Sequence, residues 1–551
     1  MDAILREATA HGRRQRLRTI TKGLDLEGVY GATIKRIAEQ GGEKTRLGMG
    51  ALRWISHSER LLQPDELSHA LAVEIGSADL DTRRIPPKEA LLDCCLGFVV
   101  VDSEASTMHL IHSTLQEYLY TRLDLFGEAH SIMAETCLTY LNFQTVKDIS
   151  PTLPLPLSAP FLKYSSLYWG IHARRKASEE VVSLALKLFG QIESHISTKL
   201  LLVDLISRTG RCNRDIPILE GFTGLHCASI LGIVEIAKAL MDQPKCSLTK
   251  RDFLGITPLI WAAICGQGEV AKLLLERRTV IPDKPDKYFH RTALSWAARR
   301  GDEGVVGVLL GRASAKPDGW WGNALCVIGM VRRRYVNPNK PDKSGQTPIL
   351  LAAEEGNEGV VRLLLGRRDV KPDAADGYGR TPLLWASSKG REGVVKLLLE
   401  QGDVGINRRD KSGQTPLLSA AEGGFEGVAG LLLGREGINT YKRSRAGQTP
   451  LSLASSKGHD GVVRVLLEQR DVDPDIPDNR GQTPLSRAAE NGHERVVALL
   501  LDRDDATPNG SDKDGRKPFS LASKKQKKSA VELLQAGICA NPSPNSTKSF
   551  L

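Results

Sequence analysis

None of the nine cysteines stands in a C-x-x-C pair, and their number is odd. A secreted disulfide framework calls for even, regularly spaced cysteines, so reduced thiols of the cytosol or nucleus are expected instead. No apolar run approaches the roughly 18 residues that cross a bilayer. The opening stretch MDAILREATAHGRRQRLR lacks the apolar centre of a secretory leader, so none is expected there. Also missing are H-E-x-x-H, any His/Cys cluster with metal-ligand spacing, and the G-x-S-x-G elbow that presents a nucleophilic serine. One stretch approaches a phosphate loop, EQGGEKTRLG from Glu39 to Gly48. It puts Glu43 where G-x-x-x-x-G-K-[ST] needs its second glycine, and a carboxylate there repels phosphate. A polar turn between helices is the better reading. His109 and His112 border a β-rich run and read as structural or surface residues. No catalytic residue, cofactor or metal is therefore expected.

What is present has ordinary proportions: 41% hydrophobic and 25% charged residues, with a net charge of +10 over 551 residues. That excess favours acidic partners weakly. The informative feature is a repeat. Thr347, Thr381, Thr415, Thr449 and Thr483 lie 34 residues apart, with Thr223, Thr257 and Thr292 upstream at steps of 34 and 35. Lys517 keeps the step downstream. A period of this size marks a solenoid.

Each unit reads as two helices and a turn. Thr381 is a helix N-cap and Pro382 suits the first helical position, where no N–H is needed. Leu383 and Ala386 share a face, Gly390 ends the helix in the left-handed region, and Val394, Val395, Leu397, Leu398 and Leu399 drive a second helix. The stretch QGDVGINRRDKSG returns to the next threonine as a turn-rich finger, with Gly413 before the cap. So few aliphatic side chains cannot offset the ordering of a whole unit, so the units must stack.

These units resemble ankyrin repeats over about 216–540; GQTPLLSAAEGGFEGVAGLLL and GQTPLSRAAENGHERVVALLL follow that pattern almost position by position. The resemblance implies an α-solenoid of about nine repeats that binds protein partners on the face made by first helices and finger tips. The family's TPLH histidine survives only as His226, which puts its usual hydrogen bonds in doubt elsewhere. Thr292 to Thr347 spans 55 residues, and GNALCVIGMVRRRYVNPNKPDKSG suggests a degenerate unit near 315–340, either a kink or a lost piece. In the last repeat Gln526 replaces the glycine among Lys524, Lys525, Lys527 and Lys528, which suits a solvated cap or a nuclear import signal.

One column, just before the first core alanine, runs Cys227, Trp261, Trp296, Leu351, Trp385, Ser419, Leu453 and Arg487. Three of the chain's seven tryptophans fall there. The column before the helix-ending glycine, Arg300, Glu355, Lys389, Lys457 and Asn491, is polar and varied. Trp261, Trp296, Leu351, Trp385, Leu453, Arg487, Arg300, Lys389 and Lys457 are the candidate partner-binding residues. Packing between repeats and packing combined with partner contact both remain open for the first column.

Before the repeats the periodicity vanishes. GALRWISHSERLL, PDELSHALAVE and PPKEALLDCCL read as three short helices, and GFVVVDSEASTMHLIH as two β-rich runs around a turn. That order is the layout of a winged helix. Its third helix offers Lys88, Glu89 and Asp93, a poor set for reading base edges, so nucleic acid is not expected. A run of helices follows. KGLDLEGVYGATIKRIAEQ, LLDCCLGFVVVDSEASTMHLIHSTLQEYL and AETCLTYLNF resemble the region after the nucleotide-binding core of fungal NACHT-type, NLR-like signalling ATPases. Part is also similar to a segment found with GPI inositol-deacylases, but without G-x-S-x-G no such activity follows.

The expected organisation is a helical remnant (1–45), a winged-helix domain (46–122), a helical linker (123–215), an ankyrin domain (216–540) and a disordered tail (541–551). The fold is mainly α. The expected function is non-enzymatic recognition of a protein partner in an NLR-like signalling system, in the cytoplasm or nucleus. A plain ankyrin scaffold, or a truncated NACHT-type NTPase whose core is missing from this chain, are the alternatives. A small-molecule or membrane partner is not expected.

Overall fold

The computed structural model describes residues 26–102, 104–150, 156–208, 219–311, 336–402, 404–503 and 505–540. The expected tail, the first part of the helical remnant, the boundary near 215 and most of the degenerate unit lie outside the described residues. The chain divides into two compact units, Met1–Phe253 and Leu254–Leu551.

In the first unit, helix α1 (Leu26–Ala38) turns through Gly41, at φ 81°, into α2 (Gly42–His57). Helix α3 (Pro64–Ala72) starts on a proline, and Glu66 reaches back to accept the Gln63 N–H at 2.9 Å. After α4 (Lys88–Cys94), strands β1 (Val99–Asp102) and β2 (Thr107–Leu110) pair antiparallel, with Val99 opposite Leu110. Leu62, between α2 and α3, forms a bridge to Met108 of β2 and accepts its N–H at 2.8 Å. Met108 and Leu110 alternate inward along β2, as a half-buried strand requires. Helix α2 packs on both α3 and α4, and a Cβ on its Gly48 would meet the Cys94 carbonyl oxygen at 2.7 Å. That close approach accounts for the small residues in LGMGALRW.

Helix α5 (Ser113–Thr121) leads to four longer helices, α6 (Ala129–Leu141), α7 (Leu162–Arg175), α8 (Glu179–Phe189) and α9 (Ile196–Arg208). Helices α6 and α7 form the centre, flanked by α8 on α6 and α9 on α7. Trp54, Phe161, Tyr164 and Tyr140 fill it; Trp54 meets Phe161 edge-on at 5.4 Å and Tyr140 meets Phe161 at 5.2 Å. The first helix pair of the repeat set, Gly224–Leu231 and Val234–Met241, also belongs to this unit.

The second unit holds eight further pairs among the described residues. Each first helix packs on the next first helix and each second helix on the next second helix, so the stack has two layers. In the Thr381 repeat, the threonine hydroxyl accepts the Leu384 N–H at 3.2 Å, and Pro382 opens the helix Pro382–Ser388. Val394, Val395, Leu398 and Leu399 of the second helix, Glu392–Leu399, are buried, while Leu397 is half-buried. Gly390 has φ 68°, and a Cβ there would strike the Phe425 ring at 2.5 Å. Glycine is needed both for the left-handed backbone and for the approach of the next repeat. The same mainly α, stacked-repeat solenoid was legible in the sequence.

The helices on either side of the long interval are direct neighbours. Ala293–Arg300 packs on Pro348–Glu355, and Glu303–Gly311 on Glu358–Leu365. Asn357 donates to the Ala298 and Arg299 carbonyls at 2.9 and 3.1 Å. Equivalent residues of adjoining repeats, His459 on Glu422 and His493 on Ser456, make the same type of contact.

Candidate functional site: the finger and first-helix surface

The second unit positions its candidate residues through the fingers. In the finger before Thr381, Asp376 donates its N–H to the Arg380 carbonyl at 3.0 Å. Its Oδ1 accepts the N–H groups of Tyr378 and Arg380 at 2.8 and 2.9 Å. Its Oδ2 accepts from the Arg380 Nε at 3.0 Å and from the Trp385 indole Nε1 at 3.1 Å. One buried carboxylate therefore closes the turn and fixes a first-helix side chain. Asp342, Asp410, Asp478 and Asp512 close their turns likewise. At Asp512 burial raises the carboxyl, but hydrogen bonds from the Arg516 N–H and guanidinium outweigh it and leave it below the ordinary carboxylate range. Fingers also join one another: Gly377 donates to the Ser344 carbonyl at 2.8 Å, and Lys411 to that of Tyr378 at 2.9 Å.

This frame settles where the first column goes. Trp261, Trp296, Leu351 and Leu453 are buried between repeats, so they offer no open surface. Trp296 donates to Asp286 at 2.8 Å, with Arg291 stacked 5.2 Å from its ring. Trp385 and Arg487 are half-buried and held by finger carboxylates; Arg487 Nε donates to Asp478 at 2.9 Å. The Arg380 guanidinium lies 4.0 Å from the Trp385 ring centre and 4.7 Å from that of Tyr378, which is 62% exposed. Lys389 sits 5.8 Å from the same indole. In the second column, Arg300, Lys389 and Lys457 are exposed, as are Glu355 and Asn491. The structure thus brings Trp385, Arg380 and Lys389 into one cluster, while Arg300 and Lys457 belong to other repeats of the same layer.

The finger aspartates escaped the sequence reading. Their signal was present: D-x-x-G five residues ahead of the capping position, at Asp342, Asp376, Asp410, Asp478 and Asp512. The TPLH histidine behaves as its pattern implies where it survives. His226 Nδ1 accepts the Thr223 N–H at 3.0 Å, and Nε2 reaches the Lys250 carbonyl at 3.1 Å. Where it is absent the threonine still caps, as in Thr415 to Leu418 and Thr483 to Ser486, and the aspartate closes the finger. In the last repeat the cap is reversed: the Ser520 hydroxyl accepts the Lys517 N–H at 3.0 Å.

The first unit carries a histidine cluster in which His57 and His172 are buried and His130 is half-buried. His130 and His172 meet through their Nδ1 atoms at 2.9 Å, and His172 Nε2 reaches the Tyr164 hydroxyl at 3.0 Å. Arg175 donates to His130 Nε2 at 3.0 Å and pairs with Glu59 at 2.8 Å. Burial, then the Arg175 charge and His57, bring His130 down to about 4. Burial, then His130, Arg175 and His57, bring His172 down to about 3. Both rings are neutral near pH 7. Elsewhere, His112 caps α5 by accepting the Thr114 N–H at 3.2 Å. Glu43 opens α2 with Arg46 donating to it at 2.9 Å, a contact that holds the carboxyl below its usual range. No group of three metal-ligating side chains occurs among the described residues. None of the described helices is long and apolar enough to cross a membrane.

Stacked helix pairs with carboxylate-closed fingers and glycine-ended first helices define a helical-repeat protein of protein-interaction type. Family profiles agree. One described as ankyrin repeats (3 copies) matches residues 194–286, 245–319, 321–410 and 470–544, and one described as ankyrin repeats (many copies) matches 431–488. Together they cover more than half of the chain, which belongs to the ankyrin-repeat family. Among curated proteins, it is similar to one of Danio rerio named as a palmitoyltransferase, ZDHHC13, at 30% identity over 140 residues. That match takes in 23% of this chain and 21% of the relative, so the chain spans about a fifth of that protein's length.

Proposed function

We propose that the chain is a non-enzymatic recognition scaffold that binds a protein partner on the first-helix and finger surface of its second unit. One observation carries this reading. The buried positions repeat from unit to unit, whereas the exposed second column changes from Arg300 to Glu355, Lys389, Lys457 and Asn491. A constant frame with a varied outer row is what selective recognition uses. The partner-facing set is Arg300, Lys389 and Lys457, with the half-buried Trp385 and Arg487 beside them. The test is photo-crosslinking in cells, with the reactive side chain at positions 300, 389 and 457, or at Lys396 and Arg464 on the second-helix layer. A discrete adduct from the first set alone is expected. Equal adducts from both layers contradict the proposal.

The NLR-like reading draws support from the first unit. Helix, bridge at Leu62, two helices and a hairpin follow one another in the order of a winged helix. Its third helix exposes Lys88, Glu89 and Asp93, a mixed set that favours a protein neighbour over nucleic acid. Sequencing the transcript upstream of Met1 separates the alternatives: an in-frame G-x-x-x-x-G-K-[ST] supports a truncated NACHT-type NTPase and contradicts a stand-alone binder, and an in-frame stop codon does the reverse. The activity in the name of the Danio rerio relative is not carried over. The matched stretch is 21% of that relative, too little to carry its activity across.

A further inference from the structure

Two adjoining fingers hold an unusual concentration of positive charge. The finger before Thr415 carries Arg408, Arg409 and Lys411, and the finger before Thr449 carries Lys442, Arg443 and Arg445. Arg408 is paired with Asp373 at 2.9 Å. No carboxylate lies within ion-pair distance of the other five among the described residues. Arg409, Lys411, Arg443 and Arg445 are exposed and Lys442 is half-buried.

The cations are held in register. Arg409 Nη2 donates to the Arg443 carbonyl at 3.0 Å, and Arg445 donates to the Lys411 carbonyl. Each guanidinium therefore keeps further N–H groups for an outside acceptor. Beside them lies an open depression lined by Tyr378, Arg380, Asp410, Lys411, Ser412 and Arg445. Its carboxylate, Asp410, is already engaged: it accepts the N–H groups of Ser412 and Gln414 at 2.8 Å and the Ser412 hydroxyl at 2.7 Å. Tyr378 adds an exposed apolar wall.

The patch is also bounded. The finger on one side bears Asp373, paired with Arg408, and the finger on the other bears the exposed Asp471 and Asp473. A long polyanion needs a continuous track of cations and would run into these carboxylates. A short anionic segment would not.

We infer that this two-finger patch binds an acidic segment of a polypeptide, a short run of Asp and Glu side chains. The inference rests on the recognition reading above and assigns the chemistry of one part of that surface. Carboxylates suit the guanidinium forks, and the cations would steer a negatively charged segment toward the patch.

The test uses the full chain and a fluorescein-labelled oligo-glutamate peptide, followed by fluorescence anisotropy at low salt. An oligo-glutamine peptide and an oligothymidylate of equal charge serve as comparisons. Oligo-glutamate binding that weakens with added salt is expected, with little binding of the other two. Replacing Arg409, Arg443 and Arg445 together by Gln should weaken it by about tenfold or more. The corresponding triple Lys variant keeps the charge and should retain most of the affinity. Changing Lys343 and Lys513 to Gln, on other fingers, should leave it unchanged. Tighter binding of oligothymidylate, no binding of oligo-glutamate, or full affinity in the triple Gln variant overturns the inference. Adducts at 300, 389 and 457 would survive that outcome, so failure here is distinguishable from failure of the recognition reading.

Discussion

The indole N–H of Trp385 donates to Oδ2 of Asp376, nine residues earlier in the chain, at 3.1 Å. That bond ties a first-helix residue to the finger that precedes it. The same carboxylate takes two backbone N–H groups and the Arg380 Nε. In this repeat, finger geometry and the first-helix side chain are thus set by one buried group.

Asp376→Ala should leave those donors unsatisfied and lower stability by about 3 kcal/mol. Asp376→Asn, which keeps an acceptor oxygen, should cost less. Urea denaturation of the full chain measures both; equal stability of the Ala variant and the wild type would remove the aspartate from its organising role.

The column tryptophans should separate by burial. Trp261 is 3% exposed and Trp296 8%, and changing either to Ala should cost about 3–5 kcal/mol. Trp385 is half-buried, so Trp385→Ala should cost less stability and weaken partner crosslinking more. Melting curves combined with adduct yield decide this, and loss of adduct in exact proportion to unfolding would leave Trp385 a packing residue.

Backbone conformation gives an opposed pair of outcomes. Gln526 stands at φ 59° where preceding repeats place glycine. Gln526→Gly should stabilise the last repeat by about 1 kcal/mol by relieving a left-handed L-residue. Gly390→Ala should destabilise by about 2 kcal/mol or more, because the added Cβ also meets the Phe425 ring. Hydrogen exchange across the two repeats reads both changes.

Much of this stack was legible because its signals are local and repeated. The Thr-Pro cap, the left-handed glycine and the Val-Val-x-Leu-Leu-type core each follow from backbone or periodicity rules, and Thr381, Gly390 and Val394 behave accordingly. The finger aspartates repeat as plainly, but their role depends on what lies across the turn, which a linear pattern does not display. The fate of the tryptophan column could not be read at all. Whether an indole faces solvent or the next repeat depends on the neighbouring finger, and Trp261 and Trp385 share a register yet differ in burial. In the first unit, the order of helices and hairpin was legible, whereas the His130–His172 contact joins residues from two helices far apart in sequence.

That contact makes acid stability a readout. Unfolded histidine titrates near ~6.5, while folded His130 and His172 lie at about 4 and about 3. The unfolded chain therefore binds more protons below neutrality. The stabilising contribution is complete above the unfolded value and is lost as pH falls through 6.5 toward the folded values. Melting temperature should drop on the acid side, and less steeply in His130→Gln. An identical acid slope in that variant would show that other groups set it.

The most direct measurement pairs stability with binding in a single charge-reversed chain. Arg300, Lys389 and Lys457 are exposed and lie outside the packed frame. Changing all three to Glu should leave the melting temperature within a few degrees of the wild type, since surface substitutions usually shift stability by under about 0.5 kcal/mol each. Partner crosslinking through position 385 should fall severalfold in the same chain. Undiminished crosslinking with unchanged melting would contradict the claim that this varied outer row, carried on a constant frame, is what the protein uses to recognise its partner.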